Sequence, residues 1–191
     1  ETSECVIVDP GCNSLKQCAL LKEFVSEHLL KPVFIINTHG HFDHIFGNAW
    51  CKETYKCPLL AHLHDLPIIE QADKFAGVFG FEIDRSPTPD RYLMHGETLV
   101  FGNARLEILH VPGHSPGSIV LYSAPDQFMI CGDVLFNGSI GRTDLPGGDY
   151  NLLISGIRDK LMVLPRETVV WPGHGPKTTI GHEYDTNPFL R

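Results

Sequence analysis

The sequence lacks several features that define whole classes of protein. None of its six cysteines forms a C-x-x-C pair, which argues against a cysteine zinc knuckle and against a small disulfide-rich secreted domain. Its longest apolar runs are a few residues, such as 33–36, whereas a membrane-spanning helix needs about 20. Lysine and arginine number 15 against 23 aspartates and glutamates, and a net charge of −8 is not the basic footprint of a nucleic-acid binder. We therefore expect neither nucleic acid nor a membrane among the partners.

The start of the chain and its thiols bear on location. No charged and apolar leader opens the sequence, and no Met stands at position 1. Because the chain runs almost directly into the apolar segment 5–8, we expect further residues upstream of Glu1. Free thiols are typical of a reducing compartment. We therefore expect the six cysteines to be unpaired and the protein to be cytoplasmic.

Length and composition predict one globular domain over residues 1–191, because an apolar fraction of 42% is enough for a substantial core. Short apolar runs between turn residues predict strands over 5–8, 33–37, 58–61, 98–101, 104–110, 118–123, 127–131 and 168–171. Helices are predicted over 15–30, 45–55 and 150–161, with an irregular, partly helical stretch over 62–90 and a loop over 137–148. Two runs of strands, each followed by helices, favour an α/β fold arranged as a four-layer αββα sandwich.

Imidazole and carboxylate side chains follow four of the predicted strands. They are His39, His41, Asp43 and His44 after the second strand, and His114, Asp133 and His174 after three later strands. Loops at the ends of rigid strands are where binding and catalytic sites are usually built. We therefore expect these seven side chains to converge at one edge of the fold.

The spacing within the first group suits a metal ion. Residues two apart in an extended segment point the same way, so His39 and His41 can hold one ion from the same side. Asp43 continues that side, and the adjacent His44 turns towards a second position. Seven donors exceed the four that a tetrahedral ion takes, which favours two neighbouring ions with one carboxylate between them.

The remaining histidines carry weaker signals. Three isolated ones are interpreted as surface or packed residues: His28, His95 and His110. His62 and His64 mimic a ligand pair, but Asp65 is better explained as the N-cap of a helix that begins at Leu66. His182 follows no strand, and both a structural role and a substrate contact stay open for it.

The seven donors and their neighbours resemble the metallo-β-lactamase-fold hydrolase superfamily over nearly the whole chain. The motifs that carry the resemblance are THGHFDH at 38–44, His114, CGD at 131–133 and the GHG around His174. The resemblance implies the αββα fold, whose opening strands we expect to lie before Cys5.

The tail narrows the resemblance to one group. GHGPKTTIGHE at 173–183, NPFL at 187–190 and GRTD at 141–144 are similar to the small glyoxalase II-type hydroxyacylglutathione hydrolases of bacteria. This implies hydrolysis of a thioester such as S-D-lactoylglutathione by a hydroxide held between two metal ions. The substrate would then be a small molecule, and its thiolate would leave without a strong general acid.

The resemblance also implies a role for each donor. His39, His41 and His114 would bind the first ion, Asp43, His44 and His174 the second, and Asp133 would bridge both. Asp43 would also orient the hydroxide, so the implied catalytic residues are Asp43 and Asp133. Zinc is the leading choice for both ions, and iron and manganese are alternatives because no thiolate is among the ligands.

Full-length glyoxalase II enzymes carry a C-terminal helical domain whose basic residues hold the carboxylates of glutathione. This sequence ends at Arg191 without one. Arg142 and Lys177 are the obvious substitutes for binding an anion. Arg142 has an equal claim as a brace for its own loop.

Other functions stay open at this point. Persulfide dioxygenases share the fold and use a single iron, which His39, His114 and Asp133 would hold by position. Hydrolysis of another ester or of a lactone is a further alternative, as is a metal-stabilised binding module without catalysis. Zinc β-lactamases fit less well, because they have Cys or Ser where Asp133 stands and are exported. The sequence leaves the oligomeric state open.

Overall fold

The structure is a computed structural model that describes residues 2–191. The chain divides into two compact units, a first unit of Glu1–Leu93 with Val100–Ala104 and a second unit of Met94–Leu99 with Arg105–Arg191. The organisation of residues 1–191 as one domain stays a prediction. All six cysteines are free thiols, as expected. Within residues 2–191, no helix is both long enough and apolar enough to cross a membrane.

The first unit is built on four parallel strands: β1 (Glu4–Val8), β2 (Lys31–Ile36), β3 (Leu59–Ala61) and β4 (Arg91–Tyr92). They lie in the order β1-β2-β3-β4. Val8 is level with Ile36, and Ile36 is level with Leu60. Because neighbouring parallel strands end at the same edge, the segments after β1 and β2 leave the sheet side by side. This places Asp9 next to the segment that leads to His39.

Four α-helices belong to this unit: α1 (Leu15–Glu27), α2 (Phe42–Ile45), α3 (Asn48–Tyr55) and α4 (Leu66–Val78). Ser14 caps α1 by accepting a hydrogen bond from the backbone N of Gln17. The stretch predicted as irregular and partly helical contains α4, which begins at Leu66 as predicted. The buried Ile69, Ala72 and Ala76 of α4 recur at three- and four-residue steps. They form an apolar stripe along the helix that faces the core.

Two clusters of buried residues hold these helices against the sheet. One consists of Ile7, Ile35, Cys51, Cys57 and Leu59, and the other of Ile45, Ala61, Ile69 and Ala72. The first cluster packs α3 on β1, β2 and the start of β3. The second packs α2 and α4 around the end of β3. The segment between β2 and α3, which carries the first group of donors, is therefore anchored at both ends.

A six-stranded sheet is made of β5 (Thr98–Phe101), β6 (Ala104–His110), β7 (Ile119–Ser123), β8 (Phe128–Gly132), β11 (Val169–Pro172) and β12 (Thr178–Thr179). Its residues belong to the second unit, apart from the last two of β5 and the first of β6, which are grouped with the first unit. The strand order is β12-β11-β8-β7-β6-β5. β8 and β11 are parallel, with Gly132 level with Pro172. The residues that follow these two strands, Asp133 and His174, therefore leave the sheet at the same edge.

The rest of the second unit contains a hairpin of β9 (Leu135–Phe136) and β10 (Ser139–Ile140), helices α5 (Tyr150–Gly156) and α6 (Ile180–Thr186), and a π-helical turn over Ile157–Leu161. The π-helical turn completes the helix predicted over 150–161. The hairpin extends into the predicted loop over 137–148, and neither β12 nor α6 is predicted from the sequence. β12 has two residues, which is too short to show an apolar alternation. The buried residues of α6 are Ile180, Gly181 and Glu183, which form no periodic apolar stripe.

Candidate metal centre

The first unit gathers the first group of predicted donors on one short segment. His39 and His41 lie between β2 and α2, and His44 lies within α2; all three are buried. The ring centroid of His39 is 4.8 Å from that of His41 and 4.1 Å from that of His44. The three imidazoles therefore form one compact group.

Asp43 and His44 are neighbours on a helix rather than on an extended segment, because α2 begins at Phe42. Nε2 of His44 still lies 3.6 Å from Oδ2 of Asp43. Two atoms that each bind one ion at about 2.1 Å with a tetrahedral angle are separated by roughly 3.4 Å. The separation between Asp43 and His44 therefore fits two ligands of a shared ion.

Asp9 is absent from the predicted site, yet it organises this segment. Its carboxylate accepts hydrogen bonds from the backbone N and Oγ1 of Thr38, at 2.7 and 2.6 Å, and from Nδ1 of His44 at 3.1 Å. Because a carboxylate accepts, Nδ1 of His44 carries a proton, and Nε2 keeps the lone pair that a metal needs. The signal in the sequence is the position of Asp9 directly after a strand that is parallel to β2.

The same contacts set the tautomer of His39. Oγ1 of Thr38 donates its proton to Asp9, so it accepts a hydrogen bond from Nδ1 of His39 at 3.1 Å. His39 therefore also presents Nε2 as a possible ligand atom.

The prediction that Asp65 caps α4 is wrong in one respect. Asp65 precedes α4 as expected, but its side chain does not cap that helix. Oδ2 of Asp65 instead accepts a hydrogen bond from the backbone N of Gly40 at 2.8 Å, and the side chain is fully buried. This contact satisfies a buried donor between His39 and His41, so tertiary packing overrides the local capping signal.

The second unit brings together the other three predicted donors, His114, Asp133 and His174. Oδ2 of Asp133 lies 3.7 Å from Nε2 of His114 and 3.6 Å from Nε2 of His174. His114 is buried, whereas the His174 side chain is 57% exposed. One carboxylate oxygen thus stands between two imidazole nitrogens at separations that suit shared ions, as a bridging ligand must.

Backbone contacts hold this group in place. Nδ1 of His114 donates to the carbonyl oxygen of Arg142 at 2.8 Å, which leaves its Nε2 as the possible ligand atom. A Cβ on Gly141 would overlap the carbonyl oxygen of Asp133 and lie 3.1 Å from Cγ of His114. Only glycine therefore fits between the two donors at this position.

The two predicted anion-binding residues have different surroundings. The guanidinium of Arg142 forms a bidentate pair with Asp144, with both N–O distances 2.8 Å, and this pair lowers the pKa of Asp144 to about 2. Nζ of Lys177 lies 5.1 Å from the ring centroid of Trp171. Lys177 also lines a cavity of about 340 Å³ together with His182.

Two of the histidines with weaker signals have contacts of other kinds. Nε2 of His110 bonds with the carbonyl oxygen of Pro116 at 2.9 Å. His182 lies in the first turn of α6, and its backbone N donates to Oγ1 of Thr179 at 3.2 Å. Its ring lines the same cavity as Lys177, so the alternative of a substrate contact stays open for His182.

The donor chemistry in each unit fits divalent metal ions. Imidazole nitrogens and carboxylate oxygens bind zinc, iron and manganese. Metal-binding histidines typically donate their second ring nitrogen to a carboxylate or a carbonyl, as His44 and His114 do here. The residues present can therefore hold metal ions through Nε2 atoms and carboxylate oxygens.

Comparison with known proteins finds relatives that span almost the whole chain. This chain is 38% identical to the probable metallo-hydrolase YqgX of Bacillus subtilis, over 98% of this chain and 87% of that protein. It is also 38% identical to the hydroxyacylglutathione hydrolase GloC of Haemophilus influenzae, over 96% of this chain and 86% of that protein.

Solved structures agree with the predicted fold. A di-iron-bound form of TTHA1623 is 42% identical, with a TM-score of 0.88 over 97% of this chain and 89% of that chain. BLEG-1 B3 metallo-β-lactamase is 39% identical, with a TM-score of 0.90 over 98% of this chain and 89% of that chain. The family model of the metallo-β-lactamase superfamily matches residues 1–174. The chain therefore belongs to the metallo-β-lactamase superfamily, has the fold of that superfamily and is a metal-dependent hydrolase.

Proposed function

We propose that this protein is a binuclear hydrolase that cleaves a thioester such as S-D-lactoylglutathione into a hydroxy acid and a free thiol. The observation that carries the proposal is the position of Asp133, whose Oδ2 lies within 3.7 Å of Nε2 of both His114 and His174. A carboxylate oxygen shared in this way is what two neighbouring ions require. The 38% identity to a hydroxyacylglutathione hydrolase supports the choice of substrate class.

Each ion in the proposal has its own set of ligands. His39, His41 and His114 hold the first ion, Asp43, His44 and His174 hold the second, and Asp133 is shared. The 3.6 Å separation of Asp43 and His44 supports their assignment to one ion. Zinc is the leading choice, and the di-iron-bound form of TTHA1623 keeps iron, with manganese, among the alternatives.

Two divalent ions, when bound, make hydroxide available at neutral pH and polarise the carbonyl of the substrate. The protein contributes orientation and charge. Asp43 is 38% exposed, so its carboxylate can accept a hydrogen bond from the attacking water and aim it at the carbonyl carbon. The thiolate of a thioester leaves readily, so no side chain has to act as a strong general acid.

The anionic end of a glutathione thioester needs a cation, and Lys177 is the better candidate. Its ammonium lies beside the cavity that His182 also lines. The guanidinium of Arg142 is engaged by Asp144 in two hydrogen bonds. In this proposal Lys177 binds a glutathione carboxylate, and Arg142 contributes mainly through its carbonyl oxygen, which orients His114.

The proposal also covers partners and location. The substrate is a small molecule, and neither nucleic acid nor a membrane takes part, in keeping with a net charge of −8. Six free thiols support a reducing, cytoplasmic location.

Metal quantification combined with a substrate panel tests the proposal. We expect two metal ions per chain, hydrolysis of S-D-lactoylglutathione, loss of that activity with a chelator and its return with added metal. The panel includes a lactone, a simple ester, a β-lactam and glutathione persulfide. A single iron with oxygen uptake on the persulfide would establish a dioxygenase instead. Preference for the lactone, ester or β-lactam would keep the metal centre but replace the substrate.

Site variants complete the test. Asp133→Asn should lower hydrolysis by about 100-fold or more. Removing a residue that only hydrogen-bonds to a metal ligand already lowers metal affinity or activity by about 10–100-fold, and a ligand itself should matter more. Asp126→Asn is the matched control, since Asp126 accepts a hydrogen bond from Oγ of Ser123 in the turn between β7 and β8. Equal activity in the two variants would contradict the assigned role of Asp133.

A further inference from the structure

Two cysteines of the first unit, Cys18 and Cys51, lie beside the thiol of Cys12. Cys12 lies in the loop after β1, Cys18 in α1 and Cys51 in α3, and the thiol of Cys12 is hydrogen-bonded to those of both others. Cys18 and Cys51 are buried, whereas Cys12 is partly exposed. One accessible thiol therefore stands beside two buried ones.

The helix α3 explains why Cys12 meets Cys51. A Cβ on Gly47, the N-cap of α3, would overlap Sγ of Cys12, so this sulfur lies against the backbone at the start of the helix. Cys51 follows one turn later, and its backbone N donates to the carbonyl oxygen of Gly47 at 2.8 Å. Helical side chains lean towards the N-terminus, which directs the Cys51 thiol towards Cys12.

This position favours the ionised form of one thiol over the others. The hydrogen bond from Cys51 lowers the pKa of Cys12 to about 6, and a helix N-terminus acts in the same direction. The neighbouring Cys12 sulfur, together with burial, raises the pKa of Cys51 well above its ordinary value. Burial raises the pKa of Cys18 to about 11. At neutral pH, Cys12 is thus the thiolate of the group.

We propose that Cys12 is a peroxide-reactive thiol whose oxidation ends in a disulfide with Cys51. The Cys12 thiolate attacks one oxygen of hydrogen peroxide, the O–O bond breaks, and a sulfenic acid and hydroxide form. The Cys51 sulfur then attacks the Cys12 sulfur, the S–O bond breaks, the S–S bond forms and water leaves. The two sulfurs together lose two electrons, and the peroxide, with two protons, becomes two waters.

Two observations favour this chemistry and this pair. Among residues 2–191, no group of three ligand atoms close enough to hold a metal ion includes a cysteine sulfur, so the cluster is better suited to disulfide formation than to metal binding. The Cys12 sulfur lies against the backbone of Gly47, and Cys51 stands one helical turn after that glycine. Cys51 is therefore assigned as the thiol that resolves the sulfenic acid.

Peptide mapping of the metal-loaded protein tests the proposal. After one equivalent of hydrogen peroxide and alkylation of the remaining thiols, we expect a peptide that links Cys12 to Cys51 and disappears with a reductant. Without peroxide, alkylation of Cys12 by iodoacetamide should have a midpoint near pH 6. At pH 6, Cys12 should be alkylated roughly tenfold or more faster than Cys5. A much larger fraction of Cys12 is thiolate at that pH, and this outweighs the lower intrinsic nucleophilicity of a thiolate with a low pKa.

Cys5 provides the matched control, because it is also partly exposed but burial raises the pKa of its thiol. Cys12→Ser should abolish the linked peptide, and Cys5→Ser should retain it. Cys51→Ser, checked for a native circular dichroism spectrum, should stop at a sulfenic acid that dimedone captures. A Cys12–Cys18 peptide as the main product, no linked peptide, or a Cys12 midpoint in the ordinary range of about 8–9 would each overturn the proposal.

Discussion

Oδ2 of Asp9 lies 3.1 Å from Nδ1 of His44. The same carboxylate accepts two hydrogen bonds from Thr38, so it links the segment after β1 to the segment that carries the first donors. A carboxylate on the outer nitrogen of a metal-binding histidine fixes the ring and makes the inner nitrogen a better ligand. Asp9 is therefore a positioning residue for His44.

Replacing Asp9 with Asn should weaken metal binding. The amide keeps one acceptor but loses the charge that supports His44, so the affinity for metal should fall by about 10–100-fold. Competition with a chelator of known affinity measures the change. Asp126→Asn, in the turn that bonds Ser123, should keep the parental affinity. Equal affinities in both variants would show that Asp9 has no such role.

Two glycines should respond in opposite ways to alanine. Gly141→Ala forces a methyl group against the Asp133 carbonyl, and overpacking of this kind costs about 1–3 kcal/mol of unfolding free energy. Gly77, in α4, has no atoms within 4 Å of an added Cβ, so Gly77→Ala should stabilise by about 0.5–1 kcal/mol. Urea unfolding measures both, and a metal assay should show loss only for Gly141→Ala. An unchanged unfolding free energy for Gly141→Ala would contradict the close packing of Gly141 against Asp133.

Glu183→Gln should destabilise the second unit. The buried carboxylate of Glu183 accepts hydrogen bonds from Oγ1 of Thr178, the backbone N of Gly138 and Nδ2 of Asn187, at 2.6–3.0 Å. An amide would turn a donor towards these donors, at a cost of about 1–3 kcal/mol in unfolding free energy. Thermal and urea unfolding measure it. The exposed Glu23→Gln should stay within about 0.5 kcal/mol of the parent, and a similarly small change at Glu183 would contradict the prediction.

Asp90 should make stability depend on pH below about 4. Burial pushes the pKa of Asp90 upwards, but hydrogen bonds from Nζ of Lys52 and the backbone N of Leu59 outweigh it and hold the pKa below its ordinary value. The folded state thus binds fewer protons. The stabilisation is complete above the unfolded pKa of about 3.9 and is lost as the pH falls through the lower folded value.

Because Asp90 and Lys52 are partly exposed, the effect should be at most about 1 kcal/mol. Urea unfolding is measured with a chelator present, at pH 7 and then at steps below pH 4. The unfolding free energy that Asp90→Asn loses relative to the parent should become smaller as the pH falls. Asp84→Asn, an exposed aspartate in the preceding loop, should show no such trend. A deficit that grows with acid would reverse the sign and reject the explanation.

Local sequence predicted the regular elements well where their signal is periodic. β5 and β6 match their predicted ranges, and the cap at Ser14 begins α1 as expected. α1 ends at Glu27 rather than at residue 30. Leu29, two residues after that end, has a left-handed φ of 52°, which does not continue a helix. Apolar periodicity and capping act over a few residues, so they can be read without knowing the neighbours in space.

The sequence alone determined the identity and spacing of the seven donors, and with them the superfamily that the comparisons confirm. Tertiary structure decided which side chains meet. Asp133 reaches His174 because β8 and β11 are parallel neighbours, and it reaches His114 because β6 and β8 both run antiparallel to β7. Asp9 and Asp65 serve the histidine segment through contacts far along the chain. Strand order and register arise from packing summed over the whole core, and no short window of sequence contains that sum.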